Sequence, residues 1–225
     1  MISINLFAHG NSSFPISRIE TAPLEKAEWK EMLEAFLCAQ NISHFGLFGY
    51  SMGGRICLTT LEIMHERVRS VLLIAPDGLK INFLYRFASG TQIGRMLYRS
   101  LINNPSWLFN LAKVLNKIGI LNDKLFRFVH VHLDTREKRQ QVHDAWLIYK
   151  KIFPDLCASS KLARDLGKNF VMIFGRYDSV IRPELGRKFT HMTGDESQMK
   201  LIDAGHRLMT EQTQHFIAEQ KLWPD

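Results

Sequence analysis

Residues 44–58 read HFGLFGYSMGGRICL, an apolar run that ends at Tyr50 and a helix-forming run that opens at Met52, with Ser51 alone between them. A chain that turns from strand to helix within one residue forces that residue into a strained backbone conformation and packs its neighbours tightly. Glycine lacks the Cβ that would clash there, which assigns Gly49 and Gly53 a steric role in the motif G-Y-S-M-G. The turn is expected to raise the Ser51 hydroxyl above the carboxyl ends of the strands. The helix from Met52 should aim its first amides at the same place.

The rest of the pattern agrees with a strand on either side of helices. ISINLF (2–7), HFGLFGY (44–50), SVLLIA (70–75), FVMIFG (170–175) and MKLI (199–202) are short apolar runs closed by Gly, Asp or Pro. EKAEWKEMLEAFLCAQ (25–40) places Trp29, Met32, Leu33, Phe36 and Leu37 at helical spacing. MGGRICLTTLEIMHERV (52–68), ELGRKFTHM (184–192) and MTEQTQHFIAEQKLW (209–223) read as further helices. Strands alternating with helices imply a parallel sheet covered on its faces. From about Asp77 to Pro154 the alternation stops and only helical, aromatic-rich runs remain. The expected organisation is therefore a core over 1–76, a helical lid over 77–158 and a core over 159–225.

Composition bounds the reading. A chain of 225 residues, 46% hydrophobic and 23% charged, is of ordinary globular character. No apolar run approaches the roughly 20 residues that span a bilayer, and MISINLFAHG does not have the form of a signal peptide. Cys38, Cys57 and Cys157 are few, odd in number and widely spaced, which fits reduced thiols and a cytoplasmic location. The net charge of +7 is unevenly distributed. No acidic residue lies between Asp77 and Asp123, whereas Lys80, Arg86, Arg95, Arg99, Lys113 and Lys117 do. That bias fits a solvated basic face, or contact with an anionic surface. No nucleic-acid motif is present.

A serine hydroxyl is a weak nucleophile and needs a base, which needs an orienting acid. FVMIFGRYDSVI places Asp178 just past one strand, and MKLIDAGHRLM places His206 just past the next. The order Ser, Asp, His, each in a loop after a strand, is that of the α/β-hydrolases. Through NLFAHGNSS, GYSMGGRICL, LLIAPDG, FGRYDSVI and DAGHRLM, the chain resembles a lidded α/β-hydrolase, a group that includes esterases, thioesterases and C–C bond hydrolases. The resemblance implies a mostly parallel sheet with flanking helices and a helical lid. It makes Ser51 the nucleophile, Asp178 the acid and His206 the general base, with the Met52 amide on the oxyanion and Tyr50 and Met52 against the substrate. The expected reaction is hydrolysis of an ester, thioester or activated C–C bond in a small or lipid-like molecule, without metal or organic cofactor. The alternatives are an inactive remnant that binds a ligand, and a lyase or acyltransferase on the same scaffold. Phe83, Tyr85, Phe87, Trp107, Phe109, Phe126 and Trp146 make the lid aromatic, each of them serving either pocket or core.

Five other residues bear on the site. His9 in AHGNSS resembles the turn histidine of the family's D-x-x-G-H-G-x-S segment, which is usually structural. Asp203 lies near His206 but on a strand end, and Asp77 stands where some relatives carry the acid. His130 and His132 lack a third ligand and read as surface residues. Only 41 residues separate Gly10 from Ser51, too few for a further strand, turn and helix beside the one helix already there. INLFAHGNSSFP thus matches the family's fourth-strand segment, and the chain would lack the first three strands and one oxyanion donor, as in a truncated gene model or fragment. Such a loss typically costs on the order of 10² to 10³ in turnover. In the alternative, residues 2–7 supply the third strand and His9-Gly10 the oxyanion loop.

Overall fold

The computed structural model describes residues 1–117 and 133–222. In chain order its principal elements are α1 (Lys26–Ala39), β1 (Phe45–Tyr50), α2 (Met52–Met64), β2 (Val68–Ile74), α3 (Phe83–Gly90), α4 (Gln92–Asn103), α5 (Ser106–Lys117), α6 (Arg136–Ile148), α7 (Leu156–Leu166), β3 (Phe170–Gly175), α8 (Pro183–Thr193), β4 (Met199–Ile202) and α9 (Glu211–Glu219). The chain groups into two compact units. One comprises Met1–Leu24 and Ile81–Lys151, the other Glu25–Lys80 and Ile152–Asp225. The first 24 residues thus associate with the helical segment.

The second unit contains a four-stranded sheet in the order β1-β2-β3-β4, parallel throughout. Each strand returns through a helix because parallel neighbours cannot be joined by a hairpin. The two inner strands, VRSVLLI and FVMIFG, are buried almost without break, as strands covered on both faces must be. Alternate residues serve opposite faces. Val71, Leu73, Phe170, Met172 and Phe174 pack with Leu58 and Leu61 of α2, Ala163 of α7 and Phe189 of α8. Leu72, Ile74, Val171 and Ile173 pack with Ile202 and Leu208, flanked by Phe216 and Ile217 of α9. Each such large side chain contributes about 1.5–3 kcal/mol on burial. α1 turns Trp29, Leu33 and Leu37 inward, and the Trp29 indole N–H donates to Thr60 Oγ1 at 2.9 Å. Met32, expected on the same face, is exposed.

Two local expectations are corrected. Residues 2–7 form no strand. Residues 1–5 are exposed, and the segment closes instead into a turn in which the Ala8 amide donates to the Ser12 carbonyl and the His9 amide to that of Leu6. A strand needs a ladder partner, and the Phe7 amide donates to the Tyr149 hydroxyl at 2.8 Å instead. Among the described residues, the alternative third strand from this segment is therefore also absent. Conversely α7, a helix unforeseen in LCASSKLARDL, forms because Asp155 caps it: one carboxylate oxygen accepts from the Cys157 and Ala158 amides at 2.8 and 3.0 Å. Its inward face carries Ser159, Ser160 and Ala163, small residues that apolar periodicity underweights.

In the first unit, α4 packs against α3 and α6. Tyr98, Leu101 and Ile102 form its core, with Ala88, Val142 and Trp146 against them. The buried Arg139 closes the end of α4: its guanidinium donates to the Ile102 carbonyl, and to those of Leu133 and Asp134. These are helix-end and loop carbonyls that lack ladder partners. Among the described residues no helix is long and apolar enough to cross a membrane.

Candidate active site

Ser51 links β1 directly to α2 and has φ 50° and ψ −116°, the left-handed side of the map that a non-glycine residue avoids. Its backbone is held on both sides. The Ser51 amide donates to the Ile74 carbonyl at 2.9 Å, and the Ser51 carbonyl accepts from the Gly54 and Asp77 amides, each at 2.9 Å.

The two motif glycines are not equivalent. A Cβ on Gly49 would lie 2.6 Å from the Gly53 carbonyl oxygen and 2.7 Å from Cys57 Sγ, whereas one on Gly53 would meet nothing within 4 Å. The steric role that the motif predicts for Gly53 belongs to Gly54 instead, since a Cβ there would lie 2.6 Å from the Pro76 Cβ. Thus Gly49 is crowded by the start of α2, and Gly54 by the loop after β2, a long-range contact that spacing within the motif does not show.

That loop, APDG, has a bracing role that its sequence does not show. Ala75, at φ 40°, donates its amide to the Ile173 carbonyl at 2.8 Å, Pro76 seats against Gly54, and Asp77 holds the serine carbonyl through its amide. The Asp77 carboxylate lies 3.5 Å from the buried Arg55 guanidinium, which itself lies over the Phe153 ring. Asp77 therefore braces the serine turn through its backbone while its acid group faces Arg55.

Ser51 Oγ is 3.3 Å from His206 Nε2, and His206 Nδ1 is 2.8 Å from Asp178 Oδ2. With Nδ1–H donating to the carboxylate, Nε2 is left as the acceptor facing the hydroxyl. Asp178 is almost fully buried, and its second oxygen accepts from the Val180 and Ile181 amides at 2.8 and 2.9 Å. Three acceptor contacts of this kind compensate a carboxylate for lost water. Tyr50, expected against substrate, donates its hydroxyl to the His206 carbonyl at 2.8 Å and lays its ring 5.4 Å from the imidazole. Burial, and then the Asp178 charge, push the Tyr50 hydroxyl pKa up, so it remains a donor. Met52 is the first residue of α2, where an amide has no acceptor inside the helix.

The other candidates lie elsewhere. Asp203 is exposed and paired with Arg176 at 2.6 Å. His9 belongs to the helical unit, with Nδ1 3.1 Å from its own Phe7 carbonyl. Phe126, His130 and His132 fall outside the described residues. No cluster of three His, Cys, Asp or Glu among the described residues could hold a metal ion.

Residues 1–112 match the family model described as alpha/beta hydrolase fold. The chain has the α/β-hydrolase fold. Among solved structures of that fold it is similar to a probable hydrolytic enzyme from Pseudomonas aeruginosa, at 14% identity and a TM-score of 0.60, over 98% of this chain and 75% of that one. A carboxylesterase of Nitrososphaera gargenis is 16% identical with a TM-score of 0.57, over 96% and 76%. A meta-cleavage product hydrolase from Pseudomonas fluorescens is 18% identical with a TM-score of 0.52, over 95% and 75%. A comparison with curated proteins found no match.

Proposed function

We propose that this α/β-hydrolase is a serine hydrolase acting on an ester, a thioester or an activated C–C bond of a small or lipid-like molecule. The observation that carries the reading is the relay from Ser51 Oγ through His206 to the buried Asp178 carboxylate, at 3.3 and 2.8 Å. In this reading His206 Nε2 takes the Ser51 proton as Oγ attacks the substrate carbonyl, and Asp178 stabilises the imidazolium. The Met52 amide donates to the oxyanion of the tetrahedral intermediate. His206 then protonates the departing group, and water, deprotonated by the same imidazole, releases the acyl group from Ser51.

Carboxylesterases and a meta-cleavage product hydrolase among the structures of like fold are consistent with both bond classes. The test is labelling with a fluorophosphonate, followed by rates on p-nitrophenyl esters of rising chain length. Labelling and ester turnover that disappear together in Ser51→Ala support the reading. A folded chain that does not label, or that turns over esters equally well as Ser51→Ala, overturns it.

A further inference from the structure

Exposed large apolar residues concentrate in one stretch of this molecule. α3 presents Phe83 at 77% exposure, and α4 presents Ile93, Met96 and Leu97 at 66%, 67% and 47%. α5 presents Trp107, Leu111 and Val114, all more than 40% exposed. The positions recur at helical spacing: i, i+3 and i+4 on α4, and i, i+4 and i+7 on α5. α4 therefore has two apolar faces. Tyr98, Leu101 and Ile102 fill the core of the unit, while the second row points outward. A single exposed leucine means nothing, but outward rows on α4 and α5, with Phe83 beside them on α3 and α4 contacting both neighbours, mark an interaction surface.

Charge identifies what covers it. The same helices carry exposed Arg86, Lys113 and Lys117 beside these rows, and residues 78–122 contain no Asp or Glu at all. An isologous contact with a second copy would set this basic face against itself and so be repulsive. An anionic bilayer surface offers what the face lacks: negative headgroups for the cations, and an apolar layer beneath them for Phe83, Met96 and Trp107. We propose that helices α3–α5 dock in the interface plane of an anionic phospholipid membrane.

Sedimentation with vesicles tests this, using phosphatidylcholine alone and phosphatidylcholine mixed with phosphatidylserine, at low and high salt. The chain is expected to sediment with the mixed vesicles only and to be released by salt. Arg86→Gln, Lys113→Gln and Lys117→Gln should each weaken binding roughly fivefold, and together on the order of a hundredfold. Brominated acyl chains should quench a fluorescence component that Trp107→Phe removes, and Met96→Asp with Val114→Asp should abolish that quenching. All these positions are exposed, so an unchanged melting curve checks each variant. Should the Asp variant melt early, the Gln series decides alone. Equal binding to both vesicle types, binding indifferent to the Gln series, or a dimer that Met96→Asp with Val114→Asp dissociates would overturn the proposal.

Discussion

Replacing Gly49 and, separately, Gly53 with alanine tests which of the two motif glycines the turn needs for space. At Gly49 the new methyl would sit 2.6 Å from one backbone atom of Gly53 and 2.7 Å from another. Restoring ordinary contact near 3.4 Å requires the start of α2 to retreat by about 0.8 Å. No rotamer relieves the contact, because both partners are main chain. Overpacking of this kind costs about 1–3 kcal/mol, which for a domain of this size lowers the melting temperature by about 2–12 °C. The same retreat moves Ser51 relative to His206, and a displacement approaching 1 Å at a reacting group costs on the order of 100-fold in rate. At Gly53 the methyl meets nothing, and alanine is favoured over glycine in a helix by up to about 1 kcal/mol. Circular-dichroism melts and the second-order rate of fluorophosphonate labelling read both effects. Gly49→Ala should be less stable and label about 100-fold more slowly, while Gly53→Ala matches or exceeds the parent in stability. Equal behaviour of the two variants, in either direction, would refute the reasoning.

Three further outcomes follow from the same geometry. Asp178→Asn keeps the shape but reverses the tautomer that leaves Nε2 facing Ser51, so the labelling rate should fall about 10⁴-fold with little loss of stability. Tyr50→Phe removes the donor to the His206 carbonyl and should cost about 1 kcal/mol in a melt, with labelling slowed several-fold and Ser51 still modified. Burial pushes the Cys57 thiol up to about 12, so iodoacetamide at pH 8 should alkylate Cys38 and Cys157 in the native chain and reach Cys57 only after unfolding, as read by peptide mass spectrometry. With its folded pKa raised, that thiol contributes stability that is complete below the ordinary thiol value near 9 and is lost as pH rises toward 12.

Much of this was legible in the residues because it depends on short-range pattern. Apolar runs of four to seven residues mark β1, β2, β3 and β4, and the inner pair, covered on both faces, carries apolar residues on both. The loops after β1, β3 and β4 carry Ser51, Asp178 and His206, and a parallel sheet delivers all such loops to one edge. ISINLF carried the same apolar signal as the true strands and failed, because composition records the capacity to pair but not whether a partner backbone is present. LCASSKLARDL failed in the opposite sense, since small buried residues and a capping carboxylate leave little trace in hydropathy.

Order along the chain and side-chain type therefore determined that a hydroxyl, a carboxylate and an imidazole each follow the end of a different strand. Only the packed structure decided which glycine the turn cannot lose, that Ile74 and Asp77 join Gly54 in holding the Ser51 backbone, that Asp77 faces Arg55 while Asp178 faces His206, and that Tyr50 braces the histidine. Apart from the close approach of α2 to Gly49, those decisions are contacts between residues far apart in the chain, and their outcome turns on distances of a few tenths of an ångström that no local periodicity encodes.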